Sequence, residues 1–295
     1  IHTFCLATRQ PLFGAEIYSG TEKIADTDDF IAFEVGDCVR KVQKSSYQRG
    51  FSEMYVLSQD RTAFYRGKEV FTPVETEETP CPKVLDRGVK FPSYEFCKGQ
   101  NIQNGQILID TSAWLWEDVQ MMNNYCNDAF DKSEIAEFVS DTVCQFIFQK
   151  DDKITNSLTE LQYVLYDLEK VVFGQHVIKL FVEEDAELYV TWSQDVNDAE
   201  QSWKFPFYRD SCCDIAKFTL KRGEYTLRTF FPYSFKYTAL VCKSGRVRID
   251  EYGVSTIGNA DAFQLKFLCE NNKLERIVQA SQNGFAHNAI DIFTD

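Results

Sequence analysis

The feature that most constrains the fold is a train of short apolar-alternating segments in the C-terminal half, each closed by polar or glycine-bearing turns. Val177–Val182 and Leu188–Trp192 flank the acidic stretch 183–187. Phe218–Leu220 passes through Arg222-Gly223 into Tyr225–Phe230. Tyr237–Cys242 and Val247–Ile249 follow around Ser244-Gly245, and Phe263–Leu268 and Leu274–Val278 flank Glu270–Lys273 as a hairpin. Side chains alternate across a strand, so segments of this length and spacing predict a sandwich of antiparallel strands rather than a parallel sheet.

The N-terminal half reads similarly, with strands at Phe30–Phe33, Met54–Leu57, Glu69–Phe71 and Ile107–Ile109. The expected fold is mainly β: two β-sandwich-like domains with one or two short helices near the middle of the chain. One helix is expected over 132–148, opened by Asp131 and Glu134. A second is expected over 158–172, where Leu158, Leu161, Leu165, Leu168 and Val172 follow helical spacing, although the same stretch also suits strands. The polar run Gln149–Lys153 reads as a connector, giving an N-terminal domain 1–152 and a C-terminal domain 153–295.

Ten cysteines sharpen that division. Cys5, Cys38, Cys81, Cys97, Cys126 and Cys144 precede the connector, and Cys212, Cys213, Cys242 and Cys269 follow it. Both sets are even, so the expectation is a secreted, disulfide-bonded protein with up to three bridges in the first domain and two in the second. Adjacent Cys212 and Cys213 would pair outward, with Cys242 and Cys269 as partners. A chain that begins at Ile1 fits removal of a signal peptide. No run reaches the roughly 18 apolar residues of a membrane helix.

Acidic residues outnumber basic ones, 45 to 31, for a net charge of −14. Such a surface repels phosphate backbones, which argues against nucleic-acid binding. Phosphate loops are absent, as are a G-x-S-x-G elbow and C-x-x-C spacing, so no cofactor or metal is expected. Calcium has the best claim among metals, through Asp26–Asp29, Asp195–Asp198 and Asn127-Asp128, but none fits a twelve-residue calcium loop. The histidines are His2, His176 and His287, none in a recognisable catalytic setting.

Two candidate contact sites stand out. Trp114 and Trp116 would share one side of a strand and offer an aromatic platform for a sugar or other ligand, beside Glu117 and Asp118. Arg40, Lys41, Lys44, Arg49, Arg61, Arg66 and Lys68 form a basic stripe interleaved with Tyr47, Phe51, Tyr55, Phe64 and Tyr65, suited to a polyanion or an acidic protein face. Phe64–Val70, with Pro82 and Pro92–Phe96, resembles one Greek-key motif of the βγ-crystallin family over about forty residues. That resemblance implies β-sandwich wedges; the family's calcium signature is missing, and the resemblance is not adopted.

These observations lead to a non-catalytic binding or structural protein, working through a protein partner, self-assembly or a glycan. A carbohydrate-active hydrolase using an acid pair is the alternative, with a secreted toxin or pore-former behind it.

Overall fold

The computed structural model describes residues 12–33, 36–39, 42, 52–57, 73–80, 88, 90–109, 146–194, 203–205, 208–209, 212–264 and 266–289. Its strands are β1 (Glu16–Ser19), β2 (Glu22–Asp26), β3 (Glu53–Leu57), β4 (Ser93–Lys98), β5 (Gln100–Ile109), β6 (Phe146–Lys150), β7 (Ser157–Leu158), β8 (Gln162–Ser193), β9 (Trp203–Phe205), β10 (Tyr208–Arg209), β11 (Cys212–Cys213), β12 (Ile215–Leu220), β13 (Gly223–Arg228) and β14 (Tyr233–Gly258). A single α-helix of eight residues or more, α1 (Asn272–Asn288), is present among the described residues. The chain is mainly β and β-sandwich-like, as the alternation predicts.

Two strands are far longer than the usual five or six residues, β8 with 32 and β14 with 26. Their registers show why. Leu240 of β14 lies opposite both Val164 and Val190 of β8, so its first half runs between two separate stretches of that strand. Its second half instead places Val247 opposite Val182 and Gly253 opposite Val177. One layer therefore contains β3, β12, the two outer stretches of β8, the start of β14, β5, β6 and β9. The other contains β13, the middle of β8, the end of β14, β4 and β7. Both long strands bend from one layer into the other, and strands from before and after residue 152 share hydrogen bonds throughout.

The core lies between these layers. Val164, Leu188, Val190, Phe218 and Leu240 from the first meet Ile178, Leu180, Val182, Leu227, Val247 and Ile249 from the second in one buried cluster. The first layer is apolar on its other face too, where Met54, Ile107, Phe148, Tyr163, Leu165, Tyr189, Ile215, Ala239 and Val241 are buried with Val42. Lys217 sits on that strand system with its ammonium 2.9 Å from Glu187 Oε1, a pairing that compensates its burial.

Burial on both faces corrects one sequence expectation. Residues 158–172 are not helix: β7 ends at Leu158, β8 begins at Gln162 after a turn, and Tyr163 and Leu165 are buried in one apolar cluster while Leu158, Val164, Tyr166, Leu168 and Val172 are buried in the other. The helix expected over 132–148 falls outside the described residues as far as 145, and Phe146–Lys150 is strand. The hairpin expected at 263–278 is likewise replaced. Asn271 caps a helix, its side chain accepting from Lys273 N at 3.0 Å and Leu274 N at 3.4 Å, and Leu274, Ile277 and Val278 take helical spacing behind it. Phe30–Phe33 is not a strand either; Thr27–Asp29 is a short 3-10 turn and Phe33 makes an isolated bridge to Pro73.

The disulfide expectation is also corrected. No disulfide joins the described cysteine side chains Cys38, Cys97, Cys242 and Cys269. Cys242 is wholly buried in the sandwich, its thiol donating towards Ser244 O at 3.4 Å and pushed up to about 12 by burial. Cys269 Sγ accepts from Asn271 N at 3.4 Å, beside the start of α1. Neither Cys242 nor Cys269 is in a disulfide, so neither is the bridge partner expected for Cys212 or Cys213, whose side chains lie outside the description. Apolar packing, not cross-linking, holds this part of the chain.

His176 is the most deeply placed histidine of the described residues, stacked on Phe235 with ring centroids 4.1 Å apart and beside Trp192 at 4.8 Å. Tyr252 donates to Thr238 Oγ1 at 2.8 Å, so its oxygen accepts from His176 Nδ1–H at 3.0 Å and the imidazole is neutral. Burial lowers its pKa to about 3 from 6.5. The unfolded chain binds this proton below pH 6.5 while the folded chain does not until about pH 3. Stability therefore falls as pH drops through that window, by about 1.4 kcal/mol per unit from this group. Urea unfolding at stepped pH should show the slope, and His176→Phe should flatten it.

Candidate functional site

The seven basic residues of the stripe, Arg40, Lys41, Lys44, Arg49, Arg61, Arg66 and Lys68, lie outside the described residues, as do Trp114 and Trp116. Of the oxygen-rich loops, Asp26–Asp29 is described. There Asp26 accepts from Asp28 N at 3.2 Å and Asp29 accepts from Asp26 N at 2.9 Å, so both carboxylates cap the 3-10 turn. No group of three potential metal ligands occurs among the described residues. No described helix is long and apolar enough to cross a membrane.

Two loci instead draw attention. The first is an apolar surface at one end of the sandwich. Ser93 Oγ bonds Gly258 O at 2.9 Å, Lys90 pairs with Asp261 at 2.8 Å, and Asn259 N donates to Ala286 O at 2.8 Å. The start of β4, the end of β14, the 3-10 turn Ala260–Phe263 and α1 are thus fastened together. On this assembly Phe91, Tyr94, Phe263, Leu268, Leu274, Ile277 and Phe285 are all exposed, Phe91 at 82% and Leu268 at 92%. Phe96 extends the surface, its ring over Gly253, where a Cβ would come within 2.4 Å of the ring. A groove of about 270 Å³ separates Lys266–Leu268 from Glu275, Val278, Gln279 and Gln282 of the helix.

α1 is amphipathic but barely seated. Ala286 is its one buried residue among those described, and Leu274, Ile277 and Phe285, 42, 61 and 49% exposed, follow one another along one stripe. Most helices draw their stability from packing such a stripe.

The second locus is Glu53, only 3% exposed. Its Oε2 accepts from Tyr55 OH at 2.5 Å and Phe230 N at 2.7 Å, and its Oε1 accepts from Phe231 N and Tyr233 OH, both at 2.8 Å. Four donors saturate the carboxylate and make its burial tolerable. Burial and this negative neighbour raise the phenol pKa of both tyrosines. Tyr233 packs on Trp192 at 4.2 Å, joining the carboxylate to the His176 cluster. The site is closed to solvent and positions a loop; it offers no open carboxylate pair. Sequence reading did not single out Glu53, because three of its four donors are 177 to 180 residues away and no local pattern marks them.

No family model and no curated protein matches this chain. Among solved structures it is similar to a rhamnosidase from Klebsiella oxytoca (13% identity, TM-score 0.40), covering 65% of this chain and 36% of that one. A rhamnosidase from Dictyoglumus thermophilum gives 18% identity and a TM-score of 0.36, with 45% and 15% covered. A GH78 family rhamnosidase of Bacillus sp. GL1 gives 11% identity and 0.34, with 43% and 12% covered. The chain thus spans from about an eighth to about a third of the proteins it is compared with. All three of these proteins are rhamnosidases.

The apolar end generates a direct expectation. Replacing Leu268 and Ile277 together by Ser should lower fluorescence of a bound apolar dye such as anilinonaphthalene sulfonate. Each change should alter unfolding free energy by no more than about 0.5 kcal/mol, since neither side chain is packed.

Proposed function

We propose that this chain is an accessory β-sandwich module whose working surface is the apolar end around α1, where it packs against a helical layer. The single observation that carries this reading is the set of exposed apolar side chains Leu274 and Ile277 of α1, with Tyr94, Phe263 and Leu268 on the elements fastened to it. An amphipathic helix that lies on a sheet edge with its apolar stripe outward is complementary to another helix, which fills it at i, i+3, i+4 spacing. A polar substrate pocket has different chemistry, with a few convergent polar groups inside a concave apolar wall. The module reading assigns the sandwich a positioning role and places no catalysis on it.

Amide exchange on the isolated chain tests this. The helix 272–288 should exchange orders of magnitude faster than core amides at 164–166, 188–190 and 239–241, because it lacks the contacts that a partner layer provides. The isolated chain should leave a panel of aryl glycosides intact. Helix amides protected as strongly as the sheet, or glycoside turnover abolished by one carboxylate substitution, would contradict the proposal.

A further inference from the structure

β13 forms one margin of the second layer, and its outer edge is bare. It pairs with β8 from Gly223 opposite Val182 to Arg228 opposite Val177, and no other strand bonds it among the described residues. Thr229 N donates to His176 O at 3.2 Å, which fixes the alternation along the strand. Residues 223, 225 and 227 turn their N–H and C=O groups towards β8, so those of Glu224, Thr226 and Arg228 face outward. The matching edge of the first layer is covered. Outside β3, Val39 N donates to Met54 O at 2.9 Å and Val56 N to Asp37 O at 2.8 Å. A bare edge is a template for another strand, and a bulge, a proline or charge of one sign guards most of them. β13 has no bulge and no proline, and its two charges are opposite in sign.

The side chains along this edge suit one partner, a second copy of the same strand. Glu224, Thr226 and Arg228 are exposed on the outer face, while Tyr225 and Leu227 are buried on the core face. Two antiparallel copies related by a two-fold axis through the sheet keep their faces matched only when paired residue numbers sum to an even value. Centred on Thr226, that rule sets Glu224 of each copy opposite Arg228 of the other. Thr226 then meets its own copy, Tyr225 lies opposite Leu227 on the core side, and the outward N–H groups of both strands find carbonyls. Neither Glu224 nor Arg228 has an ion-pair partner in the chain; Arg228 Nη1 donates to the neutral Gln175 Oε1 at 3.3 Å. A centre at Tyr225 would instead set Arg228 against Arg222, like against like. β4, the opposite margin of this layer, allows no equivalent register. Its Glu95 and Lys98 lie on opposite faces of the strand, so no two-fold pairing sets them side by side.

We propose that β13 pairs with β13 of a second copy of this chain, antiparallel and centred on Thr226, joining two second layers into one continuous sheet. This surface is separate from the apolar end and does not depend on the role proposed there. Sedimentation velocity of the full chain from micromolar to near-millimolar concentration should show a monomer–dimer equilibrium. Glu224→Arg and Arg228→Glu should each weaken the dimer about tenfold, since each turns both attractive pairs into repulsive ones. An equal mixture of these two variants should form a heterodimer about as tight as the parent dimer, and the double exchange in one chain should restore self-association. Dimerisation should slow amide exchange at Glu224, Thr226 and Arg228, whereas Tyr225 and Leu227 are protected in the monomer already. A parent chain that stays monomeric, a dimer indifferent to the single exchanges, or a variant mixture that stays monomeric would overturn the proposal. So would a dimer that Leu268→Ser with Ile277→Ser abolishes and the charge exchanges do not, which would place the contact at the apolar end.

Discussion

Everything at the β13–β14 end of this molecule depends on one buried carboxylate. Glu53 comes from β3, at the edge of the first layer, and reaches residues 230, 231 and 233, which lead into the strand β14. Removing an ionised group from water is costly, and four hydrogen bonds are what allow it here. In return the carboxylate fixes the entry of β14, whose first half then runs between two stretches of β8. Trp192, Tyr233, Phe235 and His176 pack around that entry, so an electrostatic node and the aromatic core are mechanically one unit.

From that anchor the architecture follows from surface chemistry. β8 and β14 are buried on both faces at 163–166, 188–193 and 238–242, while at 177–182 and 246–250 buried residues alternate with the exposed Lys179, Arg246, Arg248 and Asp250. Bending between two layers puts the first set between apolar neighbours on both sides and leaves the second set one face in water. At the far end of β14 this solution stops. Along the turn Ala260–Phe263 and α1 the apolar side chains of Phe263, Leu274 and Ile277 are exposed, with no covering layer among the described residues. The contact role proposed for that end rests on this contrast between a filled interior and exposed apolar side chains.

How much of this was legible in the sequence depends on where the information sits. Strands at 177–182, 188–192, 218–220, 237–242 and 247–249 could be read because their alternation is local. Residues 158–172 could not, since burial on both faces erases the period that separates strand from helix. Asn271 opens either a turn or a helix, and only the stripe through Leu274, Ile277 and Phe285 decides between them; the stripe's significance then lies in its being uncovered, which no sequence displays. Cysteine parity misled because an even count says nothing of distance: Cys242 is enclosed in the sandwich, where its thiol bonds backbone carbonyls. Glu53 was illegible for the plainest reason, since its meaning is set by chain folded back from position 230.

Glu53 fastens the loop before β14 and, with it, the backbone of Phe230 and Phe231. Native-state hydrogen exchange at the amides of Phe230 and Phe231, with and without Glu53→Gln, tests it most directly. The account predicts that in the parent chain both amides exchange only as slowly as the core of the first layer opens, and that they exchange far faster in the variant while core amides at 188–190 stay protected. Rapid exchange at both positions in the parent chain, or protection indifferent to Glu53→Gln, would contradict it.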